Sequence, residues 1–378
     1  MSPTPTRFTK LDGLRGLLSL IVALNHSFLV VAVPAFADVW GQNYFEFHDF
    51  QSKVQQIFMI FGNGGVAVTL FFILSGLVLG QSLGRVEMTS NGLTAFYAKR
   101  LLRLYPVYLF VILLTAFYMR LGYVHEVFPH ASTWYSWWLN FEMTMQELLY
   151  NVFFIHTYLG GVTWTLRVIV IASFIFPLFY SLTRKTSQVL DLIITSLLIY
   201  ASFTIFILPD FRDLRYLYMF FLGLILPKFT KFFSDLPGWL ISLSLPFLVI
   251  LLFIIRFATD EYVGGVVESL ISWLIIGTIV YSEKSKFFNF LNRKTFLFFG
   301  KISYSLYLIH FTVLFVLGRL MFQYLPNLPY TEQYLLIHLA LLFSSLSIAT
   351  LISFWVHRFI EIPSLTLANS ASRKIQGQ

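Results

Sequence analysis

Apolar runs separated by short polar breaks follow one another along almost the whole chain. Ten of them are long enough to cross a membrane as helices, at roughly 12–34, 62–84, 101–122, 163–183, 189–208, 213–231, 238–258, 262–282, 300–322 and 332–360. About 20 apolar residues rising 1.5 Å each cover a hydrocarbon core about 30 Å thick. The pattern predicts an all-α fold, a polytopic transmembrane helix bundle of about ten spans. An integral-membrane domain is expected over 1–368 and a short, polar, disordered tail over 369–378. The stretch 134–160 is rich in aromatic residues but holds Glu142, Glu147 and His156. It is expected to lie at the interface or to re-enter the membrane. The longest outer segments, about 35–61 and 123–162, are aromatic and suit a lid or substrate-facing surface. No inverted repeat of the kind many transporters show is visible.

Composition narrows this picture. The 378 residues are 57% hydrophobic and 12% charged, about half the charged fraction of a soluble domain. There is no cysteine, which excludes disulfides, thiolate metal sites and a catalytic thiol. A net charge of +8 would suit nucleic acid on a soluble basic face. Here the basic residues sit between apolar runs, so no nucleic-acid partner is expected. With the N-terminus cytoplasmic, 19 of the 26 Lys and Arg fall on the cytoplasmic side. Lys53, Arg120, Arg212, Arg215 and Arg256 fall outside, and Arg167 and Arg319 lie within spans. The positive-inside rule therefore puts both termini in the cytoplasm. The first run holds Arg15 and has no small-residue cleavage pattern after it, so it reads as a span rather than a signal peptide.

Polar side chains inside the runs are the candidate chemistry. Leu11–Phe28 contains Asp12, Arg15 and His26. An Arg within a span costs about 2.5–3.5 kcal/mol. Arg15 and His26 fall on one helix face, about 16 Å apart along the axis. A snorkelling Arg and a core His explain the pair about as well as a site does. Ser75 lies in a Gly-rich span where helix packing is the first explanation and a buried site hydroxyl the second. Arg100 and Arg103 share a face, with Lys99 adding charge. They fit a positive-inside cluster, or a fork onto phosphate oxygens. Pro106 suits the first turn of the following span, or a kink. Trp164 and Arg167 share a face near the outer boundary. Arg167 needs a partner, either an anionic or sugar-bearing substrate or a carboxylate such as Glu142 or Glu147. Ser303, Tyr307 and His310 line one face of the ninth span, which either joins helices or borders a cavity. Near the end, Glu361 can pair with Arg358 or reach Arg15, and Pro363 is expected to stop the helix. There is no HExxH, no ligand-spaced histidine set and no phosphate-binding glycine loop, so no metal site is expected.

Taken in order, LDGLRG with His26 eleven residues after Arg15, LFFILSG at 70–76, the Arg100–Arg103 pair followed by LYP, TWTL at 163–166, SYSLYLIH at 303–310 and FIEIP at 359–363 resemble the membrane acyltransferase-3 family over nearly the whole chain. That family includes bacterial O-acetyltransferases of surface polysaccharides. The resemblance implies transfer of an acyl group, acetyl by default, from cytoplasmic acyl-CoA to a hydroxyl of a surface or lipid-linked glycan. It implies a location in the bacterial inner membrane, among lipid. Acyl-CoA would be a co-substrate, with no permanently bound cofactor. Carried over, His26 is the catalytic base, Arg15 and Glu361 belong to the catalytic set, and Lys99, Arg15, Arg100 and Arg103 hold the CoA. Ser75, Trp164, Arg167, Ser303, Tyr307 and His310 are left for the acceptor or oxyanion side. Ile169 and Thr69 stand where many members carry an acidic residue. Direct transfer and a covalent acyl-enzyme both fit. The competing readings are a carrier or flippase for an anionic or glycan substrate, and a family member without catalysis.

Overall fold

The computed structural model describes residues 5–33, 44–121, 123–205, 209–259, 261–284 and 286–377, and the regular elements among them are helical. In chain order they are α1 (Pro5–Ser27), α2 (Phe50–Phe61), α3 (Gly64–Leu83), α4 (Ser90–Arg120), α5 (Thr133–Trp137), α6 (Met145–Val152), α7 (Thr163–Thr183) and α8 (Gln188–Ile205). Then come α9 (Leu217–Ile225), α10 (Thr230–Asp235), α11 (Gly238–Ala258), α12 (Glu261–Tyr281), α13 (Lys294–Tyr324), α14 (Tyr334–Val356) and α15 (Ile362–Ile375). The first part of the aromatic segment at 35–61, the end of the fifth expected span at 206–208 and the Arg256 side chain lie outside the described residues.

Among the described residues, nine helical stretches are long and apolar enough to cross a membrane. The remaining expected span is α1, whose apolar character is diluted by Asp12, Arg15, Asn25 and His26. It packs inside the bundle against α3, α12, α13 and α14, where polar side chains avoid lipid. The outward faces are apolar instead. On α8, Leu197 and Tyr200 are exposed, and on α11 Leu243, Phe247 and Ile250 are. The stretch 134–160 holds the short helices α5 and α6, neither of spanning length.

Two helix pairs approach backbone to backbone. A Cβ on Gly16 would meet the Phe296 carbonyl oxygen at 2.3 Å, and one on Gly300 would meet the Asp12 carbonyl oxygen at 2.1 Å. Glycine is thus what lets α1 and α13 touch, a physical role for the glycines of the LDGLRG stretch. α3 and α9 cross the same way, Gly76 on the Phe220 carbonyl and Gly223 on that of Ile73.

Several expectations are corrected. α1 stops at Ser27 rather than near residue 34. The β-branched residues that follow pair with another segment: the Ala32 N–H donates to the His130 carbonyl at 2.9 Å, and the Ser132 N–H donates to the Val30 carbonyl at 3.0 Å. The Ser132 hydroxyl donates to the Leu29 carbonyl. Of its two expected places, Pro106 takes not the first turn of a span but the inside of the continuous 31-residue α4. Nor does Pro363 end the last one. α14 continues through a π-helical turn at His357–Glu361, and Pro363 occupies the first turn of α15, where a missing N–H is tolerated. The expected disordered tail is therefore helical to Ile375, burying Ser364, Ala368 and Ser372, one face at four-residue spacing, as α15 packs against α4.

Candidate active site

Two of the cavities among the described residues hold most of the sequence candidates. The first, about 130 Å³, is lined by Arg15 of α1, Arg100 and Arg103 of α4, Ser75 of α3, Ile169 of α7 and Ser303, Tyr304 and Tyr307 of α13. It is referred to below as the basic cavity. The second, about 380 Å³, is lined by Asn25 and His26 of α1, Trp134 and Trp138, Trp164 of α7, Arg215, Tyr216 and Tyr307. It is the aromatic cavity. Tyr307 and Val68 border both, so the two spaces meet there.

In the basic cavity three guanidinium groups converge. Arg15 is drawn to Asp12 at 3.8 Å, a loose pair three residues apart on α1. Arg100 Nε is buried and has no hydrogen-bond partner among the described residues. Such an orphan costs free energy unless a ligand satisfies it. The Tyr304 hydroxyl donates to the Leu104 carbonyl at 2.5 Å, tying α13 to α4 beside the arginines. Among the described residues no carboxylate lines either cavity. The two positions where an acidic residue is common in the resembling family face these spaces: Ile169 the basic cavity and Thr69 the aromatic one. The basic cavity therefore carries excess positive charge, suited to an anion with several oxygens.

His26 sits at the inner wall of the aromatic cavity. Its Nδ1 lies 3.0 Å from Nε2 of His310, and His310 Nδ1 lies 3.0 Å from the Leu306 carbonyl oxygen. The two rings lie end to end, their planes 14° apart and their centroids 5.2 Å apart, and Trp134 flanks His26 at 5.4 Å. His310 is buried behind His26 and borders neither cavity. The Tyr307 hydroxyl is 2.9 Å from that of Thr165. Thr165 spends its own proton on the Val162 carbonyl at 2.8 Å, so Tyr307 is the donor.

Other sequence candidates fall elsewhere. Lys99 precedes Arg103 by one helical turn on the same face and lines neither cavity. Arg167 pairs with Asp213 at 2.5 Å, not with Glu142 or Glu147, and donates to the Ile155 carbonyl at 3.2 Å. Glu147 instead meets His156 at 2.9 Å. Glu361 is bound by the Ser305 hydroxyl at 2.7 Å and by His357 Nδ1 at 3.0 Å, rather than by Arg358 or Arg15. It fastens the π-helical turn to α13 and borders neither cavity. Ser303 donates to the Gly300 carbonyl at 2.9 Å, which leaves its oxygen to accept.

Sequence reading missed Asn25, Trp134, Trp138, Thr165, Arg215 and Tyr304. Trp134 and Trp138 carried a signal, being four apart in a stretch already marked as aromatic. Arg215 donates to the Tyr216 hydroxyl at 2.5 Å and was visible as an outer charge without a role. Asn25, next to His26 in an apolar run, gave no signal.

The geometry is that of two adjoining cavities, one with three arginines in its wall and the other with His26. The model of a family described as an acyltransferase domain matches residues 8–357, ending before Glu361 and α15. No curated protein and no solved structure matches the chain.

Proposed function

Because the chain belongs to the acyltransferase-3 family, and is thus an integral-membrane acyltransferase, we propose that it moves an acetyl group from cytoplasmic acetyl-CoA to a hydroxyl of a surface or lipid-linked glycan. The location is the cytoplasmic membrane of a bacterium, with the arginine-bearing end of the bundle facing the cytoplasm. The observation that carries this reading is the pair of cavities meeting at Tyr307, one lined by three arginines, the other by His26 and three tryptophans. The first has the chemistry of a polyphosphate binder. The second has the apolar faces and few polar groups on which sugars stack.

In this mechanism Arg15, Arg100 and Arg103 take the phosphates of the donor, and its thioester reaches toward Tyr307. His26 removes the proton of the acceptor hydroxyl as that oxygen attacks the thioester carbonyl carbon. The carbon–sulfur bond breaks, and His26 returns the proton to the departing thiolate. General-base help of this kind is worth roughly 10²–10⁴-fold. The Tyr307 hydroxyl is the side-chain donor nearest the junction for the developing oxyanion.

The test is release of CoA from acetyl-CoA, and transfer of labelled acetyl to membrane glycan, by purified protein in nanodiscs. His26→Ala abolishes both if the reading is right. It is overturned if His26→Ala keeps full activity, or if vesicles bearing the protein take up glycan without any acyl-CoA, which is the behaviour of a carrier.

A further inference from the structure

Resting on the reading of His26 as general base, we propose that His310 is a positioning residue that selects which nitrogen of His26 acts. The argument begins at a backbone carbonyl. The Leu306 oxygen can only accept, and His310 Nδ1 lies 3.0 Å from it, so in a neutral ring Nδ1 carries the hydrogen. His310 Nε2 then holds a lone pair. That lone pair faces His26 Nδ1 at 3.0 Å, so His26 Nδ1 is the protonated nitrogen. The free lone pair of His26 is left on Nε2. One carbonyl thus sets two tautomers in series.

The chain supplies its own comparison. His338 makes the same bond, its Nδ1 3.0 Å from the Tyr334 carbonyl, yet its buried Nε2 has no hydrogen-bond partner among the described residues and its ring stacks on Phe28. A histidine four residues after a carbonyl therefore does not by itself call for a second histidine. The placement of His26 on His310 is an additional feature. It arises from the register of two helices, α1 and α13, with His26 ten residues beyond Gly16 and His310 ten beyond Gly300.

The arrangement differs from a histidine oriented by a carboxylate. The ring of His26 otherwise faces Trp134 and Phe311, at 5.4 and 6.0 Å, and among the described residues no Asp or Glu lines its cavity. A neutral acceptor orients the base without placing a negative charge in the membrane. In the transfer step the acceptor proton moves to His26 Nε2 and then to the thiolate sulfur. Throughout, Nδ1–H stays bonded to His310.

The test compares His310→Phe, which keeps a ring but no acceptor, with His310→Gln, whose Oε1 can accept from His26 Nδ1. The readouts are CoA release from acetyl-CoA by the full chain and ¹⁵N spectra of the histidine-labelled protein without substrate. His310→Phe is expected to lower kcat by about 10–100-fold, the range that follows loss of the partner orienting a metal-bound histidine, with the donor KM little changed. His310→Gln is expected to recover most of that loss. The spectra should show His26 protonated on Nδ1 in the parent protein and on a mixture of nitrogens in His310→Phe. The proposal is overturned if His26 is protonated on Nε2 in the parent protein, if folded His310→Phe keeps the parent kcat, or if His310→Gln does no better than Phe. Full activity in His26→Ala would overturn the base reading and this inference together. Loss in His26→Ala without loss in His310→Phe would overturn this inference alone.

Discussion

The hydroxyl of Tyr307 donates to that of Thr165 across 2.9 Å, at the place where the two cavities touch. In the resting site its proton is engaged. To serve a developing oxyanion it has to turn toward the junction, and Thr165 is the competitor it leaves. Removing one oxyanion donor costs about 10²–10³ in kcat. Tyr307→Phe is therefore expected to lower kcat by about that factor with the donor KM preserved. Thr165→Val, which removes the competitor, should leave kcat at or above the parent value. Steady-state kinetics of CoA release check both.

The arginines of the basic cavity should act on donor binding. A hydrogen bond to a charged group is worth about 1.5–3 kcal/mol, or roughly 10–150-fold in affinity. Arg100→Gln and Arg103→Gln are each expected to raise the acetyl-CoA KM within that range. KM for the acceptor should stay constant. Titrating both substrates separately distinguishes this from general damage.

Gly16 and Gly300 should tolerate no side chain. Overpacking a well-filled contact costs typically about 1–3 kcal/mol, and here the obstacle is backbone. Gly16→Ala and Gly300→Ala are expected to lower the thermal midpoint in detergent, with loss of monodisperse protein on size exclusion. Gly238→Ala is the control, because its Cβ would meet Lys284 Cβ at an ordinary 3.8 Å.

Deleting residues from Asn369 onward should also destabilise the protein. The deletion removes the buried Ser372 and the last turns of α15 from α4. A polar disordered tail would be dispensable. A drop in thermal midpoint, read by a fluorescence melt, separates the two.

Much of the fold was legible because hydrocarbon leaves the backbone few choices. α7, α11 and α12 begin and end within a residue of the apolar runs that predict them. The errors fell where a tertiary contact overrode composition. Val30–Val33 look as helical as what precedes them, and only their pairing with 130–132 draws them out. The tail looks polar, yet its small residues at four-residue spacing form a packing face. In the site, Arg15, Arg100, Arg103 and His26 were readable because a charge or an imidazole in an apolar run calls for an explanation. Their partners were not. Asp213 meets Arg167 from a distant segment, and His310 meets His26 across 284 positions, distances that spacing along a chain cannot encode.

The two glycine crossings also have a mechanical consequence. Where carbonyl oxygens press on Cα atoms, neither helix can slide or roll without a clash, so α1 with α13 and α3 with α9 each behave as a clamped unit. Both cavities run along the seam between these units, bordered by α1, α13 and α3, and the aromatic one also by Tyr218 and Met219 of α9. Any breathing that admits a molecule belongs to that seam, with α4, α7 and the Trp134–Trp138 segment as its yielding walls. The histidine pair, carried wholly by one clamped unit, keeps its spacing while the walls around it move.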